Sequence, residues 1–479
     1  MKYIPTIGIE CHVQLKTKTK LFAAVDNDAR EKEPNTTVSP ICFGMPGVLP
    51  VLNEKAVELG IRAGLALRAD IAEWMKFDRK HYFYPDLPLG YQITQFDEPI
   101  IKGGTVSIIV DGKSIDIQVE RAHLEADAGK LTHPSGADYS LVDLNRVGTP
   151  LLEIVSQADM HSPAEARAYA QELYNLMKYA EVSDVDLYHG NMRFDVNVSV
   201  APEDASELGT RSETKNLNSF RSVERAAAYE ITRQIKELES GNTIIQETRG
   251  WDDAAQVTKP QRGKENAHDY RYFPDPDIPP VSISRDKVAA VRKDMPLLPF
   301  EIRQTLGAAR VQAENIETLL SDPEIASIAL NAAKSDENTF LTRVVNWLIG
   351  PVTAEIKSTE SFEWSQAELT VENLRIIAEL VESGKLNSNG AEKVLIELLH
   401  NGGEPKQIAD EQNLIQMTDS SAIESIVDEV IADNGKAAQD VRDGDMRAIG
   451  YLVGQVMKQS KGQANPQIAS KLLREKLSS

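Results

Sequence analysis

The stretch Ile7-Gly8-Ile9-Glu10-Cys11-His12-Val13-Gln14-Leu15 decides how the first half of this chain folds. Ile7, Ile9, Cys11, Val13 and Leu15 alternate with Gly8, Glu10, His12 and Gln14. A β-strand has a side-chain period of two, so this spacing predicts a strand with an apolar underside and Glu10, His12 and Gln14 on the other face. Two later stretches repeat the pattern. In residues 121–127, Ala122, Leu124 and Ala126 alternate with Arg121, His123, Glu125 and Asp127. In residues 192–200, Met192, Phe194, Val196, Val198 and Val200 alternate with Arg193, Asp195, Asn197 and Ser199. An antiparallel sheet with one wet face alternates in the same way. A plain wet face, however, favours Thr, Lys and Gln, whereas these stripes gather Glu, Asp, His, Arg and Asn. If the strands are neighbours, their carboxylates repel one another and need a cation between them. Oxygen ligands in that number suit Mg²⁺, and the histidine leaves Mn²⁺ or Zn²⁺ open.

Around these strands the chain reads as α+β up to about Leu297. SIIVDGKSIDIQV (107–119) predicts a hairpin turning at Asp111-Gly112. Apolar spacing of three to four predicts helices over 53–68, 163–179 and 222–239. After residue 297 the signals are helical almost throughout, in TRVVNWLIGPV, VENLRIIAELVESGK, GAEKVLIELLHNGG and AIESIVDEVIADNGK, with glycine-containing stops. The expected organisation is a large N-terminal cradle domain with an antiparallel sheet over 1–295, then two all-α domains over 296–405 and 406–479.

Composition narrows the class. At 479 residues the chain exceeds a single core, and 41% hydrophobic with 26% charged residues is ordinary for a globular protein. The net charge of −21 excludes a wholly basic nucleic-acid coat. Cys11 and Cys42 are the only cysteines, which excludes a disulfide framework and a four-cysteine zinc site. No apolar run reaches the roughly 18 residues of a membrane span, and the N-terminus lacks a signal-peptide core, so a cytoplasmic protein is expected. From Met446 onward six basic residues face one acid, and Asn465-Pro466 predicts a helix start. No GxGxxG follows a strand and no GxSxG is present. DGKS at 111–114 lacks the first glycine of a phosphate loop, Ser107 standing in its place. Any ATP chemistry must use another scaffold.

Several separated blocks carry a family resemblance: GIECHVQLKT (8–17), NTTVSPICFGMPGVLPVLN (35–53), KFDRKHYFYPDLPLGYQITQFD (76–97), HLEADAGK (123–130), SLVDLNRVGTPLLEIVS (140–156), TKNLNSF (214–220), DYRYFPDPDIPP (269–280) and GYLVGQVMKQSKGQANP (450–466). Over essentially its whole length the chain resembles the B subunits of the heterotrimeric aspartyl/glutamyl-tRNA amidotransferases of bacteria and organelles. The resemblance implies an ATP-dependent kinase that phosphorylates the side-chain carboxylate of Glu-tRNA(Gln) or Asp-tRNA(Asn). A glutaminase A subunit would supply ammonia, and a small C subunit would wrap the A–B interface. It implies Glu10, His12 and Glu125 as Mg²⁺ ligands, Asp195 and Glu213 as further acidic groups, and Lys80 and Tyr82 near the pocket or the ammonia entry. Arg193 and Lys215 are expected on the phosphates, and Lys458, Lys461, Lys471 and Arg474 on tRNA.

Three departures matter. Many relatives carry two consecutive glutamates where this chain has Glu125-Ala126, which leaves Glu125 or Asp127 as the ligand, the period of two favouring Glu125. Ala23, Val25 and Ser39 stand with Cys42 where many relatives have a four-cysteine zinc cluster, so no zinc is expected there. Leu89 stands where lysine is common. The alternative to an enzyme is a tRNA-binding scaffold whose kinase site has decayed, with Ala126 as its main hint. Truncation before Met446 is expected to weaken tRNA affinity and to flatten its salt dependence, because released counterions scale with phosphate contacts. An unchanged slope in a salt-series binding assay would count against the tail.

Overall fold

The computed structural model describes residues 2–261, 270–335, 337–360, 362–416, 420–460 and 462–477. The chain divides into two compact units, Met1–Pro299 and Phe300–Ser479. The first is built on a ten-stranded sheet. Its central strands run in the order Met192–Pro202, Tyr3–Gln14, Pro150–Ser156 and Lys113–Ala126. Ser212–Leu217, Glu247–Asp252 and Val257–Pro260 extend it beyond the first of these, and Ile101–Lys102 and Asp70–Ile71 beyond the last.

The apolar halves of the alternating stripes set the orientation of this sheet. Ile7, Cys11, Val13, Phe194, Val196, Val198, Ala122 and Leu124 are wholly inaccessible to solvent. Helices Pro163–Tyr179 and Phe220–Glu239 pack on the first strand and on Met192–Pro202, and Glu54–Ala66 reaches Lys113–Ala126. Each of these helices starts where a side chain accepts a free backbone N–H. Asn53 Oδ1 takes Lys55 N, Ser162 Oγ takes Glu165 N ahead of Pro163, and Ser219 Oγ takes Ser222 N. The Ser219 cap lets the third helix begin at Phe220, two residues before the expected Ser222. The hairpin forms as the sequence requires, pairing Val110 with Lys113 across Asp111 and Gly112, both at positive φ.

One pairing differs from an all-antiparallel sheet. Ser212–Leu217 and Glu247–Asp252 run parallel, because the chain crosses between them through the helix Phe220–Glu239 and returns in the same direction. The loop after the first strand is held by a small apolar cluster of Cys42, Leu144 and Val147 with Val25, Val38 and Ile41 against it. Beside it the buried Lys20 ammonium donates to the Thr37 carbonyl at 2.7 Å and lies 3.6 Å from Cys42 Sγ.

The second unit is helical throughout its described residues. The glycine-containing stop expected in TRVVNWLIGPV does not end the helix Asn338–Trp347, which continues past Gly350 into Thr353–Ser358. It widens to a π-turn at Leu348–Val352, because Pro351 has no N–H to donate. Thr353 Oγ1 donates to the Leu348 carbonyl at 2.6 Å. Helices Val371–Glu382 and Ser388–His400 follow. Ser420–Asp433, Gly435–Arg442, Ala448–Gln459 and Pro466–Leu477 share a separate core around Val427, Leu452, Val456 and Leu473. Asn465 caps the last helix, accepting from Gln467 N at 2.9 Å. No helix among the described residues is long and apolar enough to cross a membrane.

Leu124 anchors the polar side of its strand by filling the core beneath it. Leu124→Ala is expected to cost about 2–5 kcal/mol in chemical denaturation through lost burial and an unfilled cavity. A loss below about 1 kcal/mol would mean that the underside does not hold the strand in place.

Candidate active site

The register of the four central strands brings the polar halves of the stripes together. His12 lies opposite Arg193 on one side and Glu153 on the other, and Glu153 lies opposite His123. One row across the sheet therefore reads Arg193, His12, Glu153, His123. The next row pairs Glu10 with Asp195, and Asn197 beyond it pairs with Glu213. Directly opposed side chains on one face sit about 4.5–5.5 Å apart at Cβ, close enough for their charges to interact. This face is partly buried, with Glu10, His12, Glu153 and Glu213 retaining some exposure. Glu125 is 4%, His123 6% and Asp195 9% exposed.

The expected set Glu10, His12, Glu125, Asp195 and Glu213 is thereby collected, but in two groups. His12 joins Glu125 and Glu153, and Glu10 joins Asp195 and Glu213, with one ligand atom from each member of a group within 4.8 Å of the others. In the first, His12 Nε2 lies 3.4 Å from Glu153 and 3.9 Å from Glu125, and His123 Nε2 lies 3.4 and 3.8 Å from the same carboxylates. Burial pushes both imidazoles toward neutrality, yet Glu153 and Glu125 outweigh it and lift each to a pKa of about 9. In the second, the Lys215 ammonium sits 2.6 Å from both Asp195 and Glu213. Burial opposes the Lys215 charge, but these carboxylates hold its pKa well above the ordinary lysine value. Glu10 is held instead by an amide. It accepts from Asn197 Nδ2 at 3.0 Å, and burial, then Glu153 and Glu213, raise its pKa.

A divalent cation fits the first group better. Two carboxylates and an imidazole offer three ligands, and the positive charge now there consists of removable protons. The second already holds a tethered ammonium. Glu125 is the member drawn from the Glu125-Ala126-Asp127 run. Asp127 instead pairs with Arg146 Nε at 3.0 Å and Arg193 Nη2 at 3.5 Å, while Ala126 contributes its carbonyl to Gln92. Arg193 thus stands at the edge of the site with its charge partly met.

Two cavities flank the groups. One, of about 670 Å³, is lined by Lys80, Gln95, His123, Glu125, Glu153 and Tyr272 among others. Lys80 Nζ lies 4.9 Å from the Tyr270 ring centre. Burial opposes its charge, but Glu125 and its neighbours raise its pKa. Tyr82 stacks on Tyr84 and lies 6.2 Å from Tyr270, beside that wall. The other cavity, of about 550 Å³, is lined by Gly8, Glu10, Asn197, Ser199, Gly209 and Arg211 among others. In the tail, Lys458, Lys471 and Arg474 are exposed, whereas Lys476 is engaged by Glu424 and Asp428. Lys461 lies outside the described residues.

Glu153 and His123 are the members that sequence reasoning did not place in the site. Glu153 had a signal: a single acid within the otherwise apolar PLLEIV, where an unpaired carboxylate would be costly to bury.

A sheet with one apolar, helix-packed face and two acidic groups gathered on the other, each beside a cavity, has the make-up of a ligand-binding domain. Residues 5–289 match the GatB/GatE catalytic domain and residues 330–477 the GatB domain. The chain belongs to the GatB/GatE family. Relatives named as the B subunit of aspartyl/glutamyl-tRNA(Asn/Gln) amidotransferase include those of Thermoanaerobacter pseudethanolicus, 44% identical over 479 residues and 100% of both chains, and Carboxydothermus hydrogenoformans, 43% identical over 480 residues and 99% of both. That of Dehalococcoides mccartyi is 44% identical over 496 residues, covering 99% of each chain.

A metal held by His12, Glu125 and Glu153 would have to displace the His12 proton. With that pKa near 9, Mn²⁺ affinity is expected to rise between pH 6.5 and 9, by at most roughly tenfold per pH unit, and to level off above. Calorimetric titration at several pH values measures it, and replacing both imidazoles, His12→Asn with His123→Asn, should flatten the slope. A pH-independent affinity would place the metal elsewhere.

Proposed function

We propose that this chain is the carboxylate-activating component of a tRNA-dependent amidotransferase. It transfers the γ-phosphoryl group of ATP to the side-chain carboxylate of Glu-tRNA(Gln) or Asp-tRNA(Asn). ADP leaves, ammonia then attacks the acyl carbon, and phosphate departs with formation of Gln-tRNA(Gln) or Asn-tRNA(Asn). The observation that carries this reading is the pair of partly buried acidic groups on one sheet face, each bordering a cavity. Direct amidation of a carboxylate would have to expel oxide, so the phosphoryl group supplies the leaving group, and positioning with charge neutralisation does most of the work.

Each residue has a role that follows from its surroundings. The cavity beside Lys80 suits the acceptor carboxylate, because a raised-pKa ammonium and the Tyr270 and Tyr272 rings offer charge and stacking together. The cavity beside Gly8 suits the nucleotide, since glycine leaves the strand bare and Arg211 stands on its wall. Lys215 lies near enough to neutralise charge developing on a transferred phosphoryl group, and Arg193 stands on the same face. His12, Glu125 and Glu153 would hold Mg²⁺ or Mn²⁺, with Glu10 beside them. Such an ion, when bound, neutralises charge on phosphoryl oxygens. The partners of the reading are a glutaminase A subunit, a small C subunit and tRNA, the last engaging Lys458, Lys471 and Arg474.

A decayed scaffold is disfavoured by Glu153. The first group keeps two carboxylates although position 126 is alanine. The assembled complex supplied with labelled ATP and misacylated tRNA is expected to release ADP only when that tRNA is present. Glu10→Gln should abolish amide formation while glutamine hydrolysis persists. Retained amidation in that variant, or no tRNA-dependent ADP in the wild type, refutes the proposal.

A further inference from the structure

Gly8 stands in the interior of the strand Tyr3–Gln14, between Ile7 and Ile9, which are 0% and 1% exposed. Glycine weakens a strand interior, because it has no side chain to pack and loses the most backbone freedom on folding. The usual structural reasons for one do not apply here. Its φ lies outside the left-handed region. The register with Met192–Pro202 runs unbroken from Tyr3 to Val13, so no bulge requires it. No neighbouring backbone crowds it either. A Cβ at this position would meet Gln157 O at 3.8 Å and Ala158 Cα and Ser156 Oγ at 3.9 Å, all ordinary contacts.

The missing side chain belongs to the accessible side of the sheet. The period of two puts position 8 on the face of Glu10 and His12. Gly8 is half-buried and lines the cavity of about 550 Å³ together with Glu10, Ser199 and Arg211. Asn197, directly opposite, turns its amide to Glu10 at 3.0 Å. A strand glycine that neither backbone nor packing requires, and that opens on a cavity, marks a place where a ligand approaches the chain closely. The row of His12 lies four residues, about 13 Å, further along the strand. A nucleotide whose phosphates point toward that row leaves its nucleoside over Gly8.

We infer that Gly8 is a binding residue for the nucleotide, its bare backbone forming the floor on which the sugar and base lie. This rests on the reading of that cavity as the nucleotide site. A side chain at position 8 would take up ligand space while displacing no protein atom.

The test measures ADP binding by calorimetry to the assembled complex containing wild type, Gly8→Ala or Gly8→Val, with tRNA affinity and the unfolding midpoint measured alongside. ADP affinity is expected to fall stepwise with side-chain size, by about tenfold or more for Gly8→Val. In Gly8→Ala tRNA affinity should hold, and unfolding should come no earlier than in wild type, because alanine suits a strand interior better than glycine. Should Gly8→Val fold poorly, Gly8→Ala alone decides. A wild type that binds ADP, with variants that bind it equally well, overturns the inference. So does a loss of ADP affinity in Gly8→Ala that is matched by weaker tRNA binding or earlier unfolding, since Gly8 would then be structural. Failure of the nucleotide reading shows separately, as a wild type that binds no ADP, and takes the inference with it.

Discussion

Negative charge withdrawn from water is the constraint on which the first unit depends. Five carboxylates, those of Glu10, Glu125, Glu153, Asp195 and Glu213, share one sheet face. Two unit charges 4 Å apart repel by about 4 kcal/mol at an effective dielectric constant of 20. The face is tenable only because Lys215 is wedged between Asp195 and Glu213 and two imidazoles bracket Glu125 and Glu153. The two solutions differ in kind. An ammonium on a side chain is permanent, whereas an imidazolium can surrender its proton to a metal, which makes the His12 group the adaptable half.

The opposite face makes that arrangement possible. Branched and aromatic side chains pack under each polar residue, and the helices Pro163–Tyr179 and Phe220–Glu239 cover them. Neither face could set the geometry alone. Apolar burial fixes which residues point up, and strand pairing fixes which of those meet.

Much of this was legible in the residues themselves. The period of two at Ile7–Leu15, 121–127 and 192–200 named the strands, their faces and most acidic members. The Asp111-Gly112 turn follows local rules and formed accordingly, whereas the Ser219 cap, also a local signal, starts its helix two residues ahead of the Ser222 expected from apolar spacing. The division of the acids into two groups was not legible, because it depends on Pro150–Ser156 inserting between Tyr3–Gln14 and Lys113–Ala126, a long-range pairing with no local signature. The same insertion brings in Glu153, whose strand lacks the alternation that marked the others. His123 was visible in its stripe, but only the row across the sheet shows what it faces. The parallel pair at Ser212–Leu217 likewise needed the path of the intervening helix, and the π-turn at Pro351 needed the fate of one missing N–H.

The cross-strand rows have an implication for how chains of this kind can diverge. Adding or deleting one residue within Tyr3–Gln14 or Met192–Pro202 would turn the downstream half of the strand over, sending Glu10 or Asp195 into the helix-packed layer and Ile9 or Val196 out of it. Substitutions at single positions can be absorbed one at a time, but such a frameshift of the pleat exchanges an entire row at once. Length polymorphism in descendants should therefore collect in the connecting loops, such as residues 203–211 and 133–140, and leave these four strands at constant length.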